Sequence, residues 1–316
     1  MFNKFIQKAS DLVTSQEQTR AGFLSIALEK NRVSDPYVKN ALAFRSMVAD
    51  TRGPEDFLHL PAVRPFVLTA AGLSEKSMKY LDDADQTAAI RELIEKFLKP
   101  AGRDYIDETI YRYLLIKGDA VGGTMRNRIG ALGEEKLIRA ILSAMHVSAV
   151  TYDWMANIPS YPWSPMQADD MDIEKNLKAL HWRTDRGDRV LGLNLNIPIV
   201  RKNVDLCLFA CDMNQYNKGK IVKTTDKILM LGELKGGIDP AGADEHWKTA
   251  NTALGRIRAS FSSAGCEIQT SFVGAAIEHA MAEEIFTQLQ NGMLSNAANL
   301  TDSDQLTEYC SWILSI

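Results

Sequence analysis

The chain of 316 residues is 46% hydrophobic and 24% charged, with 20 Gly and 10 Pro, which excludes a disordered, fibrous or disulfide-scaffold protein. Its length predicts one large or two medium domains. The formal net charge of −4 argues mildly against a nucleic-acid-binding protein, because such domains are usually basic, so DNA binding would require local basic surface.

Hydrophobic runs and cysteines indicate neither a membrane protein nor a secreted one. No apolar run approaches the roughly 18 to 20 residues that span a bilayer, and the start MFNKFIQKASDLV is too short and too polar for a secretory signal. The four cysteines form no CxxC pair and have no histidine nearby in the sequence, so no zinc site or disulfide framework is indicated. We expect a soluble cytoplasmic protein with reduced thiols.

The first part of the chain, up to about Ile116, has the pattern of helices. Apolar residues recur three and four positions apart, and turn residues separate the runs. Ser34-Asp35-Pro36 predicts a break, with Pro36 in the first turn of the next helix. A further helix, AAIRELIEKFL, is expected to end before Pro100. The sequence therefore predicts an N-terminal helical domain.

A glycine cluster then interrupts the helical pattern. Gly118, Gly122 and Gly123 precede Thr124, which can cap the helix MRNRIGALGEEKLIRAILSAM. The cluster lacks the GK[ST] of a phosphate-binding loop, so it is more typical of a hinge or tight turn. We place the domain boundary here, with a helical domain at 1–116 and a catalytic domain at 117–316.

Strands are predicted only in the second part of the chain. After Val147 a loop rich in Trp and Pro is expected, followed by extended segments at about 190–200, 204–209, 228–234 and 270–277. Helices are suggested at about 244–261, 281–290 and 303–313. The predicted fold class is α/β (α+β), with a mixed sheet flanked by helices.

Charged residues on two of these strands form a candidate site. Strand alternation in VDLCLF sets Asp205 apart from its apolar neighbours, and in ILMLGELKGG it places Glu233 and Lys235 on one face. Burying charges costs several kcal/mol each unless they are paired or bind a metal. The pattern is either the D…(D/E)xK core of metal-dependent nucleases or a strand-edge ion pair, and the pattern alone leaves both open.

The following residues are more specific. GELKGGIDPAGADEHWKTANTALGRIR closely resembles the AvaI/BsoBI type of type II restriction endonuclease, and RAGFLSIALEKN, DAVGGTMRN, KNVDLCLF and FVGAAIEHAMAEEI resemble it elsewhere. These stretches extend over nearly the whole chain. The resemblance implies a PD-(D/E)xK nuclease core, in which Asp205 and Glu233 bind Mg²⁺ and Lys235 completes the catalytic set.

The sequence offers two candidates for the residue that accepts the proton of the attacking water. The resemblance implies that His246 lies close to the attacking water, and a neutral histidine is an easy general base near pH 7. Lys235 is the alternative. Nearby carboxylates should keep its ammonium protonated, whereas burial and bound Mg²⁺ should lower its pKa, and sequence does not rank these effects.

Base recognition is implied for two further residues. The resemblance implies that Lys76 and Asp239 contact DNA bases. A lysine can donate a hydrogen bond to a purine N7, and an aspartate can accept one from cytosine N4. Without it, a solvated lysine and an Asp-Pro turn would be the simpler interpretations. Seven basic residues are candidates for phosphate contacts: Arg126, Arg128, Arg201, Lys202, Lys218, Lys220 and Lys223.

The function expected from the resemblance is Mg²⁺-dependent double-strand cleavage of DNA at a degenerate palindrome of the CYCGRG kind, leaving 5′ phosphates. It also implies a homodimer, a companion DNA methyltransferase and a bacterial cytoplasmic location. The helical domain is expected to help enclose the DNA. The alternative is a sequence-specific DNA-binding protein that does not cleave, in which Asp205, Glu233 and Lys235 form an internal ion network.

Overall fold

The computed structural model describes residues 2–316, which form two compact units. One compact unit comprises residues 2–23 and Ile129–Ile316, and the other comprises Leu24–Arg128. The first unit contains the sheet, and the second is helical. The functional division at residues 116 and 117 stays a prediction, because these units are defined by contacts within the chain and not by function.

Five helices precede the first strand: α1 (Gln16–Met47), α2 (Arg64–Ala70), α3 (Glu75–Met78), α4 (Asp83–Leu93) and α5 (Tyr105–Val147). In the helical unit they enclose an aromatic core. Phe44 stacks on Phe66 with ring centroids 4.1 Å apart, and Phe66 stacks on Tyr113 at 3.7 Å. The helices predicted for this part of the sequence from its apolar spacing therefore pack around a common core.

Two predicted interruptions of these helices are wrong. α1 continues through Pro36, and α5 continues through Gly118, Gly122 and Gly123. Thr124 donates its hydroxyl to the carbonyl of Val121 within α5 and does not cap a new helix. Each interior glycine costs only about 1 kcal/mol relative to alanine. Packing along these long helices outweighs such local preferences, which is why sequence pattern alone misplaced the breaks.

The sheet has eight strands: β1 (Tyr152–Ala156), β2 (Trp163–Pro165), β3 (Leu177–Thr184), β4 (Gly187–Ile197), β5 (Lys202–Phe209), β6 (Ile228–Lys235), β7 (Gln269–Gly274) and β8 (Asn296–Asn299). Their order is β2-β1-β3-β4-β5-β6-β7-β8. Pairs from β2 to β6 are antiparallel, and β6, β7 and β8 are parallel. The predicted mixed sheet is thus confirmed, although β1 and β2 lie in a segment predicted as loop.

The remaining helices are α6 (Met213–Asn217), α7 (Ala243–Ser263), α8 (His279–Gln290) and α9 (Ser303–Ser315). α7 connects β6 to β7, and α8 connects β7 to β8, as parallel strands require. One face of α7 is fully buried in the core, with Trp247 packed edge-on against Phe272 of β7. α7 is therefore fixed to the sheet at the strand that follows it.

The N-terminal segment packs with the sheet unit. The side-chain amide of Asn3 donates to the carbonyls of Ala297 and Gln305, and the backbone N–H of Thr14 donates to the carbonyl of Ile277. These contacts join the two ends of the sequence in one core. Within residues 2–316, no helix has an apolar stretch long enough to cross a membrane.

Candidate active site

Asp205 and Glu233 lie side by side on neighbouring strands. In the antiparallel pairing of β5 with β6, Leu206 is opposite Gly232 and Cys207 is opposite Leu231. One further step in the same register brings Asp205 opposite Glu233. Because directly opposite residues of a sheet point to the same face, the two carboxylates share one face where the ladder ends.

Lys235 connects the two carboxylates. Its Nζ lies 2.8 Å from Oε2 of Glu233 and 3.5 Å from Oδ2 of Asp205. The same Asp205 oxygen accepts a 2.8 Å hydrogen bond from the backbone N–H of Leu234. Glu233 is only 5% exposed, whereas Asp205 and Lys235 are half-buried. The three residues singled out in the sequence are therefore brought together at an accessible point.

The charges of this cluster shift two protonation equilibria. Burial raises the pKa of Glu233, and the neighbouring charge of Asp205 raises it further, against the opposing effect of Lys235. For Lys235, burial lowers the pKa, but the two carboxylates outweigh burial and the net pKa is raised. The two carboxylates therefore favour the ammonium form of Lys235.

Helix α5 closely approaches the segment that follows Lys235. A Cβ atom on Gly133 would lie only 2.5 Å from the Cα of Gly236, so the two backbones are in direct contact. The next residue of α5, Glu134, accepts a hydrogen bond from Asn194 of β4 and interacts electrostatically with Asp205. Glu134 and Asn194 have no signal in the sequence, because no local pattern joins residues that lie 60 positions apart.

His246 and Asp239 lie beyond the end of β6. His246 is exposed in the first turn of α7, and its Cε1 is 3.1 Å from the position of a Cβ on Gly237 and 3.4 Å from that of a Cβ on Gly242. Asp239 is exposed, and its Oδ1 accepts a 3.0 Å hydrogen bond from the N–H of Ala241. His246 therefore packs over the glycine loop that begins directly after Lys235.

Most of the remaining predicted DNA contacts are solvent-exposed, whereas Arg128 is half-buried and forms an ion pair with Glu29. Lys76 is exposed on α3, in the helical unit. In the sheet unit, several basic candidates are exposed at the start of β5 and in the segments before and after it: Arg201, Lys202, Lys218, Lys220 and Lys223. Local basic surface thus exists on a chain whose net charge is negative.

The carboxylate pair fits a divalent cation of the Mg²⁺ type. In residues 2–316, no three His, Cys, Asp or Glu side chains are grouped as ligands of one ion. Mg²⁺, however, commonly uses one or two carboxylates and keeps water and substrate phosphate as its other ligands. Oxygens of both Asp205 and Glu233 already converge on one positive charge, the ammonium of Lys235. Their donor chemistry and convergence therefore suit the ion.

This arrangement of two strand-borne carboxylates and a lysine on a mixed sheet is consistent with a PD-(D/E)xK-like core. The family model described as "Restriction endonuclease BsobI" matches residues 2–316, so the chain belongs to this restriction endonuclease family. The chain is 47% identical over 317 residues to the type II restriction enzyme BsoBI of Geobacillus stearothermophilus, covering 100% of this chain and 98% of that protein. It is 46% identical over 311 residues to the type II restriction enzyme AvaI of Nostoc sp., with 98% of each chain covered. By family it is an enzyme of the type II restriction class.

Proposed function

We propose that the chain is a Mg²⁺-dependent endonuclease that cuts both strands of DNA at a degenerate palindrome of the CYCGRG kind and leaves 5′ phosphates. The observation that carries this proposal is the convergence of three side chains in a member of this family. Nζ of Lys235 lies 2.8 Å from a carboxylate oxygen of Glu233 and 3.5 Å from one of Asp205. The non-cleaving alternative is not favoured, because the two relatives are named restriction enzymes.

Asp205 and Glu233 would hold the Mg²⁺ ion. When bound, the ion supplies positive charge that stabilises the negative charge of the reacting phosphate. The raised pKa of Glu233 means that this carboxyl retains a proton to higher pH than an exposed glutamate. Its ionised form, which a cation requires, is therefore more sensitive to acidification than that of an ordinary carboxylate.

Lys235 acts as a fixed positive charge. Its raised pKa keeps three N–H donors on Nζ, and half-burial limits screening by water. A preorganised donor of this kind stabilises charge that develops on a phosphate oxygen in the transition state. In its ammonium form Lys235 donates hydrogen bonds and does not accept a proton, so we assign it the stabilising role.

His246 is the proposed proton acceptor for the attacking water. It is exposed and packs over Gly237 and Gly242, in the loop that connects Lys235 to α7. Imidazole can take up a proton near neutral pH, which suits the role of general base. The water oxygen attacks phosphorus in line, and the 3′ oxygen leaves.

Lys76 and Asp239 are proposed to contact bases. One oxygen of Asp239 caps the turn at Ala241, which orients the exposed carboxylate for a donor such as cytosine N4. Lys76 offers an exposed ammonium for a purine acceptor. The helical domain would thereby help to enclose the DNA.

A homodimer is proposed because a palindromic site has the twofold symmetry of a dimer. The exposed face of α1 supports it. Leu24, Leu28, Val38 and Leu42 fall on one stripe at helical spacing and are 47–63% exposed. Large exposed apolar stripes mark interaction surfaces. A companion methyltransferase would protect the same site in a bacterial cytoplasm.

Digestion of a sequenced plasmid with and without Mg²⁺ tests the proposal. Discrete fragments whose ends ligate directly are expected, and they map the site. Asp205→Ala, Glu233→Ala and Lys235→Ala should each abolish cleavage but retain specific binding in a gel shift. Asp226→Ala, an exposed aspartate of the same unit, is the matched control and should cut normally. A specific gel shift without cleavage by the unaltered protein would instead establish the non-cleaving alternative.

A further inference from the structure

Asn194 of β4 has an unusual backbone conformation next to the proposed catalytic carboxylate. Its φ is +51°, a left-handed value that side-chain-bearing residues rarely adopt. In the pairing of β4 with β5, Leu193 is opposite Leu206 and Leu195 is opposite Val204. Asn194 therefore stands directly opposite Asp205, and the strand departs from regular geometry at this position.

Two hydrogen bonds hold the strand at this irregularity and at the residue before it. Nδ2 of Asn194 donates to Oε2 of Glu134 on α5 at 2.5 Å. Nζ of Lys178 on β3 donates to the carbonyl of the preceding residue, Leu193, at 2.9 Å. Unusual backbone conformations persist only where their surroundings enforce them, and they cluster at functional sites. The contacts at Asn194 and Leu193 supply that enforcement.

Glu134 is itself held close to the site. Its neighbour Gly133 is in backbone contact with Gly236, just after Lys235, and this contact fixes α5 against the end of β6. Glu134 interacts electrostatically with both Asp205 and Lys178. The Asn194–Glu134 hydrogen bond thus connects α5 to β4 at the position that lies opposite Asp205 of β5.

We propose that Asn194 and Glu134 are positioning residues for Asp205. Their hydrogen bond keeps the backbone of Asn194 in its left-handed conformation, so that Asp205, opposite it on β5, turns towards β6, where it accepts from the N–H of Leu234 and faces Lys235. Neither residue needs to touch DNA or the cation for this role. The inference rests on the proposed catalytic function of Asp205.

Single-turnover cleavage, together with DNA affinity measured without Mg²⁺, tests the pair. Asn194→Gly permits the left-handed backbone but removes the amide, and Glu134→Ala removes the acceptor. We expect each to lower the cleavage rate by about ten- to a hundredfold, the scale of a small misplacement of a catalytic group, without loss of DNA affinity. Glu134→Gln keeps an accepting oxygen and should cut within about threefold of the unaltered enzyme.

Coupling and controls complete the experiment. The double variant Asn194→Gly with Glu134→Ala should be no slower than the slower single variant, because both break one hydrogen bond. Asn196→Gly, two residues further along the same strand, controls for weakening of β4 and should cut normally. Melting temperatures show that the variants are folded.

Two results would overturn the inference. The first is near-normal cleavage by both Asn194→Gly and Glu134→Ala. The second is a Glu134→Gln enzyme as slow as Glu134→Ala, since charge and not hydrogen-bond geometry would then be the contribution of Glu134. Asp205→Ala in the same assay separates these failures from that of the proposed function: if it still cuts, the role of Asp205 itself is wrong.

Discussion

Replacement of Gly133 by alanine tests the contact between α5 and the end of β6. A Cβ at this position would lie 2.5 Å from the Cα of Gly236 and 3.4 Å from a side-chain carbon of Leu300. The first neighbour is backbone, so no rotamer change relieves the clash. Gly130, one turn earlier on α5, is the matched control, because a Cβ there meets nothing within 4 Å.

The expected magnitudes have opposite signs at the two positions. Alanine in place of an interior helical glycine stabilises a helix by about 0.5–1 kcal/mol, and Gly130→Ala should show this gain. Gly133→Ala has the same gain, but inserting a methyl group into a closely packed contact costs about 1–3 kcal/mol, and a backbone neighbour favours the upper end. We expect Gly133→Ala to be about 2 kcal/mol less stable than Gly130→Ala.

Thermal unfolding of both variants measures this difference. For a chain of this size, 2 kcal/mol corresponds to a separation of melting temperatures of about 3 °C. Gly133→Ala should also slow single-turnover cleavage, because α5 must move away from the segment next to Lys235, whereas Gly130→Ala should not. Equal melting temperatures for the two variants would refute the inferred backbone contact.

Three further predictions concern charge. His246→Gln should lower the single-turnover cleavage rate by about a hundredfold or more, the scale of losing a general base. His279→Gln is the control, because His279 is also an exposed histidine in the first turn of a helix, and this variant should cut normally. Equal cleavage rates for the two variants would mean that His246 is structural. Hydrogen bonds from Arg32, and then Arg128, lower the pKa of Glu29 from 4.5 to about 2. The ionised Glu29 therefore stabilises the fold above pH 4.5, and this contribution is lost as the pH falls towards 2. In urea unfolding, Glu29→Gln should lower the free energy of unfolding by on the order of 1 kcal/mol at pH 7 and by almost nothing near pH 2. The logarithm of DNA affinity should fall with the logarithm of salt concentration by about 0.9 per phosphate contact, and an affinity that salt does not change would exclude the exposed lysines as phosphate ligands.

The strands that carry the site could be predicted because their signals are local. Strand alternation is enough to place Glu233 and Lys235 on one face, and β6 extends over Ile228–Lys235, close to the predicted 228–234. α7 likewise extends over Ala243–Ser263, around the predicted 244–261, because its buried residues recur at helical spacing. Such patterns depend on residues within one element.

The remaining features depend on contacts between distant parts of the chain. Pro36 lies inside α1 although its local preference is to begin a helix, and β1 and β2 form in a segment whose Trp and Pro content indicates loop. The Asn194–Glu134 contact joins residues 60 positions apart and depends on how α5 packs on the sheet. No periodicity within either segment encodes that packing.

The electrostatics of the site separate two roles that the sequence left together. Lys235 is close enough to both carboxylates that their attraction exceeds the effect of burial, and its pKa is raised. The same proximity that makes Lys235 a good stabiliser of negative charge therefore makes it a poor proton acceptor. This contrast supports the proposal that the general base is a group outside the Asp205–Glu233 pair. His246, in the first turn of α7, is the base that we propose: it is exposed and packs over Gly237 and Gly242 of the loop after Lys235.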